Sequence, residues 1–135
     1  MDAARITRSV ELDAPAADVW RALTEPELLA DWLDVVQLDL RPGGDGVIVE
    51  PDGAVRRARV DEVDPARRLA LVWWPEDGSG PASTVELELE PTPTGTRVVV
   101  TETVASSAAA RADDRWGVRF LLLGCCLVRA AVSCR

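Results

Sequence analysis

Histidine, lysine, tyrosine and asparagine are absent from the 135-residue chain, and all 15 basic residues are arginine. Without an imidazole there is no side chain of ordinary pKa to serve as base, metal ligand or pH switch near neutrality, and without lysine no Schiff base can form. The four gaps together fit a high-GC coding bias. Cysteine is scarce: Cys125, Cys126 and Cys134 form an odd set with two adjacent members. That pattern fits buried small hydrophobes in a reducing compartment, not a disulfide framework. Long apolar runs are also missing, since Phe120 to Val128 is flanked by Arg119 and Arg129 and is too short to cross about 30 Å of hydrocarbon. The opening "MDAARITRSVELD" carries no apolar segment of the kind a secretory signal needs. A cytoplasmic protein with no membrane partner is expected. The formal charge of −8 repels phosphate backbones and argues against a nucleic-acid partner.

What is present suits one domain over residues 1–135. Hydrophobic residues make up 47% and charged residues 28%, the balance of an ordinary globular chain. A chain of this length withdraws roughly 68% of its unfolded surface from water, enough for a core without covalent staples.

Residues 5–12, "RITRSVEL", alternate as a strand that stops at Asp13. The stretch "VWRALTEPELLADWL" then reads as helix, break, helix. Val19, Trp20 and Leu23 share one helical face after Pro15; Leu28, Leu29, Trp32 and Leu33 share another after Pro26. Thr24 and Glu27 have capping-box spacing. From residue 35 the period becomes two, and "VVQLDLR", "GVIVE", "AVRRARVDEV", "RLALVWW", "STVELELE" and "TRVVVTETV" read as six strands joined by Gly- and Pro-bearing hairpin turns. Val85, Leu87 and Leu89 against Glu86, Glu88 and Glu90 mark a sheet with one wet face. Past Ala105 a long helix returns, with Trp116, Phe120, Leu123, Leu127, Ala130 and Cys134 on one face. Its apolar surface continues to Leu121, Leu122, Cys125 and Val128, more than one sheet contact explains, which calls for a second partner surface or a homodimer seam along this helix.

No cofactor or metal site is expected. Cys126 and Cys134 fall about 80° apart around a helix and Cys125 faces elsewhere. "GGDG" and "GSG" lie inside hairpins and lack the strand, glycine loop and helix of a phosphate cradle. Arg56, Arg57 and Arg59, with Arg67 and Arg68, read first as solvated or paired with acids, with a small anionic ligand group as the alternative, and each tryptophan reads first as core filling. Glu62 and Glu102 read first as strand-end carboxylates in water. Turned inward together, they would form a pair able to shuttle a proton if burial raised one pKa.

The phrases "ITRSVELDAPAADVWRALTEPELLADWL", "DLRPGG", "RVDEVDPARRLALVWWPE" and "STVELELEPTPTGTRVVVTET" resemble the START-like (SRPBCC) superfamily, in particular its branch similar to the activator of Hsp90 ATPase. The resemblance covers nearly the whole chain and implies an α+β helix-grip fold, β-α-α-β6-α, with a curved antiparallel sheet around the C-terminal helix. It further implies a cavity between the two that holds a small hydrophobic or amphipathic molecule. Strand parity puts Leu71, Trp73, Leu87, Val100 and Glu102 on the concave side. Trp116, Phe120 and Leu123 would close the cavity from the helix, and Trp32 would sit near its mouth. The final helix departs from the branch in its bulky residues, Gly and Cys.

Three functions compete at this level. The leading one is ligand binding with no defined catalysis. The second is a cyclase- or hydrolase-like enzyme with Glu102 or Glu62 as base, weakened by the missing Tyr, His, Lys and Asn. The third is a protein-interaction or co-chaperone-like module. The branch shares no catalytic signature, so fold alone does not choose among them.

Overall fold

Val85, Leu87 and Leu89 are buried, and the carboxylates of Glu86, Glu88 and Glu90 reach arginines on the opposite, wet face. This alternation organises the computed structural model, which describes residues 3–133 and the side chains of residues 3–128. Strand β1 (Ala3–Leu12) leads into helices α1 (Ala16–Thr24) and α2 (Pro26–Leu33). Strands β2 (Val35–Leu38), β3 (Asp45–Val49), β4 (Val55–Asp64), β5 (Arg68–Pro75), β6 (Ser83–Thr92) and β7 (Gly95–Ala105) follow. A 3₁₀ turn at Ser106–Ala108 then opens the long helix α3 (Ala109–Ser133). The element order is the one the residue periods predict. Cys134 lies outside the described residues.

All neighbouring strands are antiparallel, in the order β1-β7-β6-β5-β4-β3-β2. Register brings the expected inward residues together: Trp73 is opposite Ala58 and Ser83, Leu71 opposite Val60 and Val85, Leu87 opposite Val100, and Val85 opposite Glu102. A bulge in β4 between Val60 and Glu62 shifts the pairing with β5 at this part of the curved sheet. Trp116, Phe120 and Leu123 of α3 meet this face, and Val19, Leu23, Leu29, Trp32 and Leu33 of the helix pair complete the core. Burying these large apolar side chains, each worth about 1.5–3 kcal/mol, supplies the main favourable term of folding.

One local feature differs from the sequence expectation. The capping box does not form: Thr24 is still inside α1, where its hydroxyl donates to the Trp20 carbonyl at 2.8 Å, and Glu25 begins α2 without a side-chain cap. The last turn of α1 offers Thr24 a nearer acceptor than the next helix does. Asp34, which ends α2, takes a left-handed conformation with φ 59°. At Gly95 a Cβ would collide with the Leu12 carbonyl, so only glycine lets the end of β1 lie against the start of β7.

On the wet face Arg68 joins Glu62, Glu86 and Glu88, while Arg57 pairs with Glu76, Arg59 with Asp61 and Arg67 with Asp64. Such exposed pairs stabilise the fold only slightly. Among the described residues, no helix is long and apolar enough to cross a membrane.

Candidate functional site

Strand parity sends Trp73 of β5 and Glu102 of β7 to the same inner face, where Glu102 is only 3% exposed. A carboxylate that deep requires donors, and three are supplied. Its Oε2 accepts from Trp73 Nε1 at 2.9 Å and from Ser83 Oγ at 2.7 Å, and its Oε1 accepts from Trp116 Nε1 at 2.7 Å. Glu102 therefore clamps an indole of the sheet to an indole of α3. This corrects the reading of Glu102 as a strand-end carboxylate in water. Glu62 does stand on the wet face, with Arg68, and forms no pair with Glu102.

Cations lie against the same indoles. The Arg119 guanidinium sits 5.1 Å from the Trp73 ring centre and 4.8 Å from that of Trp116, and Arg56 sits 5.1 Å from Trp73. These are cation–π distances. Arg56 thus turns inward, unlike Arg57 and Arg59, because its place in β4 has the parity of the core face. Both Arg56 and Arg119 approach Glu50, which follows β3 and is buried. Burial lowers the Arg119 pKa to about 10, against the opposing pull of Glu50 and Glu102. Burial likewise raises the Asp34 pKa, with Arg119 opposing and Glu50 reinforcing the rise.

Beside this clamp opens a cleft of about 320 Å³. Trp73 and Glu102 form its floor, and Arg111, Arg115 and Arg119 form its helix wall, with Ala112 among them and Ala108 in the turn just before. Pro75, at the end of β5, and Pro81, in the β5–β6 connection, supply an apolar rim.

Of the residues expected to line a cavity, Trp73 and Glu102 line this cleft. Leu71, Leu87, Val100 and Leu123 lie in the closed core, at most 3% exposed. Trp116 stacks on Trp73, and Phe120 tilts against Trp116 with ring centres 5.8 Å apart. Phe120 also reaches a shallow groove between β1 and α3, beside Arg8 and Leu121. Trp32 is not at a mouth: it is fully buried, and its Nε1 donates to the Ala22 carbonyl at 2.8 Å. The helix, break, helix stretch folds back on itself, so its second tryptophan staples α2 to α1.

Sequence reasoning missed Glu50, Arg111, Arg115 and Arg119. A signal was available for the arginines: in "RADDRWGVR" they recur every four residues, which places them on one helical face. Nothing local marks Glu50. Among the described residues no group of three acids or cysteines is placed to hold a metal; Cys125 is exposed and Cys126 buried.

A curved antiparallel sheet closed on a long terminal helix, with a lined cleft between them, defines the helix-grip class. Residues 13–119 match the family described as Activator of Hsp90 ATPase homolog 1-like protein, and the chain belongs to that family. Solved structures agree. Protein MLL2253 of Mesorhizobium loti is 28% identical, with 93% of this chain and 98% of that one covered at a TM-score of 0.82. A protein of Rhizobium leguminosarum is 26% identical, with 95% and 96% covered and a TM-score of 0.79. CalU16 of Micromonospora echinospora is 25% identical, with 97% and 79% covered and a TM-score of 0.76. No curated protein matches the chain in sequence.

Proposed function

We propose that the protein binds a small amphipathic molecule in the cleft between β5, β7 and α3, in the cytoplasm, without a defined reaction. One observation carries this reading: the cleft of about 320 Å³ joins an aromatic floor to a charged wall between the sheet and the terminal helix. Its volume falls at the lower end of the roughly 300–1,000 Å³ typical of small-molecule sites. The enzyme reading loses ground on Glu102, because Trp73, Trp116 and Ser83 occupy three of its roughly four acceptor positions. A base needs a free lone pair facing its substrate.

Native mass spectrometry of freshly purified protein tests the reading. The expected result is a discrete small-molecule adduct that disappears in Ala108→Trp, which fills the cleft from its exposed 3₁₀ turn. An adduct that survives Ala108→Trp, or a ligand screen that leaves the Trp73 indole resonance unmoved, overturns it.

One observation favours a second reading. Val118, Leu121, Leu122, Cys125 and Val128 leave an exposed apolar ridge along α3. Val118, Leu121, Cys125 and Val128 step by three or four residues, with Leu122 beside them, which suits a helix–helix seam that a second copy would cover. Sedimentation velocity distinguishes the cases: a monomer at all concentrations removes the homodimer.

A further inference from the structure

Arginines 111, 115 and 119 stand at four-residue intervals on α3, where like charges repel and weaken a helix. Among the described residues, Arg115 and Arg119 share one ion-pair partner. Glu50 Oε1 lies 3.1 Å from Arg56 Nε, 3.6 Å from Arg115 Nη1 and 3.6 Å from Arg119 Nη2. None of these nitrogens is aligned to donate a hydrogen bond to it, and the atom is buried without a donor. The arginines are equally unspent. Among the described residues, no guanidinium N–H of Arg56, Arg111, Arg115 or Arg119 finds a hydrogen-bond acceptor, and Arg111 has no ion pair either. Each guanidinium carries five donors in a rigid fork that matches a carboxylate.

All four arginines line the one cleft. The α3 dipole, positive at the end where Arg111 and Arg115 stand, adds to their field. Charge then sets the valence of the occupant. Against the four arginines of the cleft stand three acids: Glu102 lines the cleft with them, Glu50 lies within 3.6 Å of Arg56, Arg115 and Arg119, and Asp34 is coupled electrostatically to Arg119 and Glu50, so one positive charge is left over.

Resting on the cleft being a ligand site, we infer that its occupant is a monoanionic organic acid. Arg111 and Arg115 take the carboxylate, and the apolar body lies against Trp73, Pro75 and Pro81. Glu50 holds Arg56 and Arg119 in place at the back of the cleft, so the helix wall stays folded when the site is empty.

The test is a panel of small aliphatic and aromatic carboxylic acids, each matched with its primary amide, titrated into the full chain. Calorimetry and the Trp73 indole resonance report binding. Acids are expected to bind at least about tenfold tighter than their amides, as charge-assisted hydrogen bonds require. Arg111→Gln, at an exposed and unpaired position, should cut that preference several-fold while leaving thermal unfolding unchanged, and Arg115→Gln should cut it further. Equal binding of acids and amides, or full preference in Arg111→Gln, overturns the anion inference and leaves the cleft a ligand site. Tighter binding of matched alkyl phosphates overturns the monoanion. Failure of every compound to move Trp73 overturns both readings together.

Discussion

Trp73 and Trp116 lie nearly parallel, with ring centres 6.0 Å apart and planes 16° apart, one on the sheet and the other on the terminal helix. Both donate to Glu102, so a single buried carboxylate sets the spacing of sheet and helix on which the cleft depends. Glu102→Gln keeps the shape but turns one acceptor oxygen into an amide NH₂ that faces a donor. We expect a loss of about 2–3 kcal/mol by urea unfolding, with a changed near-ultraviolet dichroism from the two indoles. A variant as stable as the parent would show that the clamp carries no weight.

Among the described residues, Glu50 is the acid that forms ion pairs with Arg56, Arg115 and Arg119. Glu50→Gln leaves a buried Arg119 without its compensating charge and should destabilise by on the order of 3 kcal/mol. Pairing it with Arg119→Gln in a double-mutant cycle should recover a good part of that loss. Additive losses would refute the coupling.

Asp34 pays twice, once for burial and once for a left-handed backbone that asparagine tolerates better. Its folded pKa is raised, so the native state binds the extra proton, and ionisation costs stability as pH rises through that pKa. Asp34→Asn should therefore raise Tm at pH 7, on the order of 2 °C. The electrostatic part of the gain should vanish below the unfolded value of 3.8. Scans at pH 7 and pH 3.5 check the sign. Removing this acid should also tighten binding of carboxylic acids in the cleft.

Leu121 and Leu123 are two residues apart on α3, one 73% exposed and the other fully buried. Leu121→Gln should change stability by no more than about 0.5 kcal/mol, whereas Leu123→Ala should cost about 2–5 kcal/mol. Chemical denaturation of the pair reads out which face of the helix the core uses. If Leu121→Gln unfolds the protein, its partner surface is part of the fold.

Trp32→Phe tests the staple between α1 and α2. It removes the indole N–H that satisfies the Ala22 carbonyl and leaves a small void, for a loss of about 1–3 kcal/mol. Ligand affinity should be unchanged, because Trp32 does not line the cleft. A large affinity loss without a stability loss would return Trp32 to the site.

Local pattern alone determined a good deal. The period-two runs and the two helical stripes set the element order, and the Val85, Leu87 and Leu89 alternation declared which face of the sheet is dry, because side-chain direction follows from backbone geometry one residue at a time. Tertiary structure decided the rest. Parity says that Leu71, Trp73, Leu87 and Val100 share a face, but only the approach of α3 and the helix pair closes that face over most of them and leaves Trp73 beside open space. Glu50 meets its arginines from a strand end, far away in sequence from α3, and Arg56 turns inward while Arg57 and Arg59 do not. Such meetings rest on long-range register and on how closely two surfaces pack, and neither leaves a mark in a short window of residues.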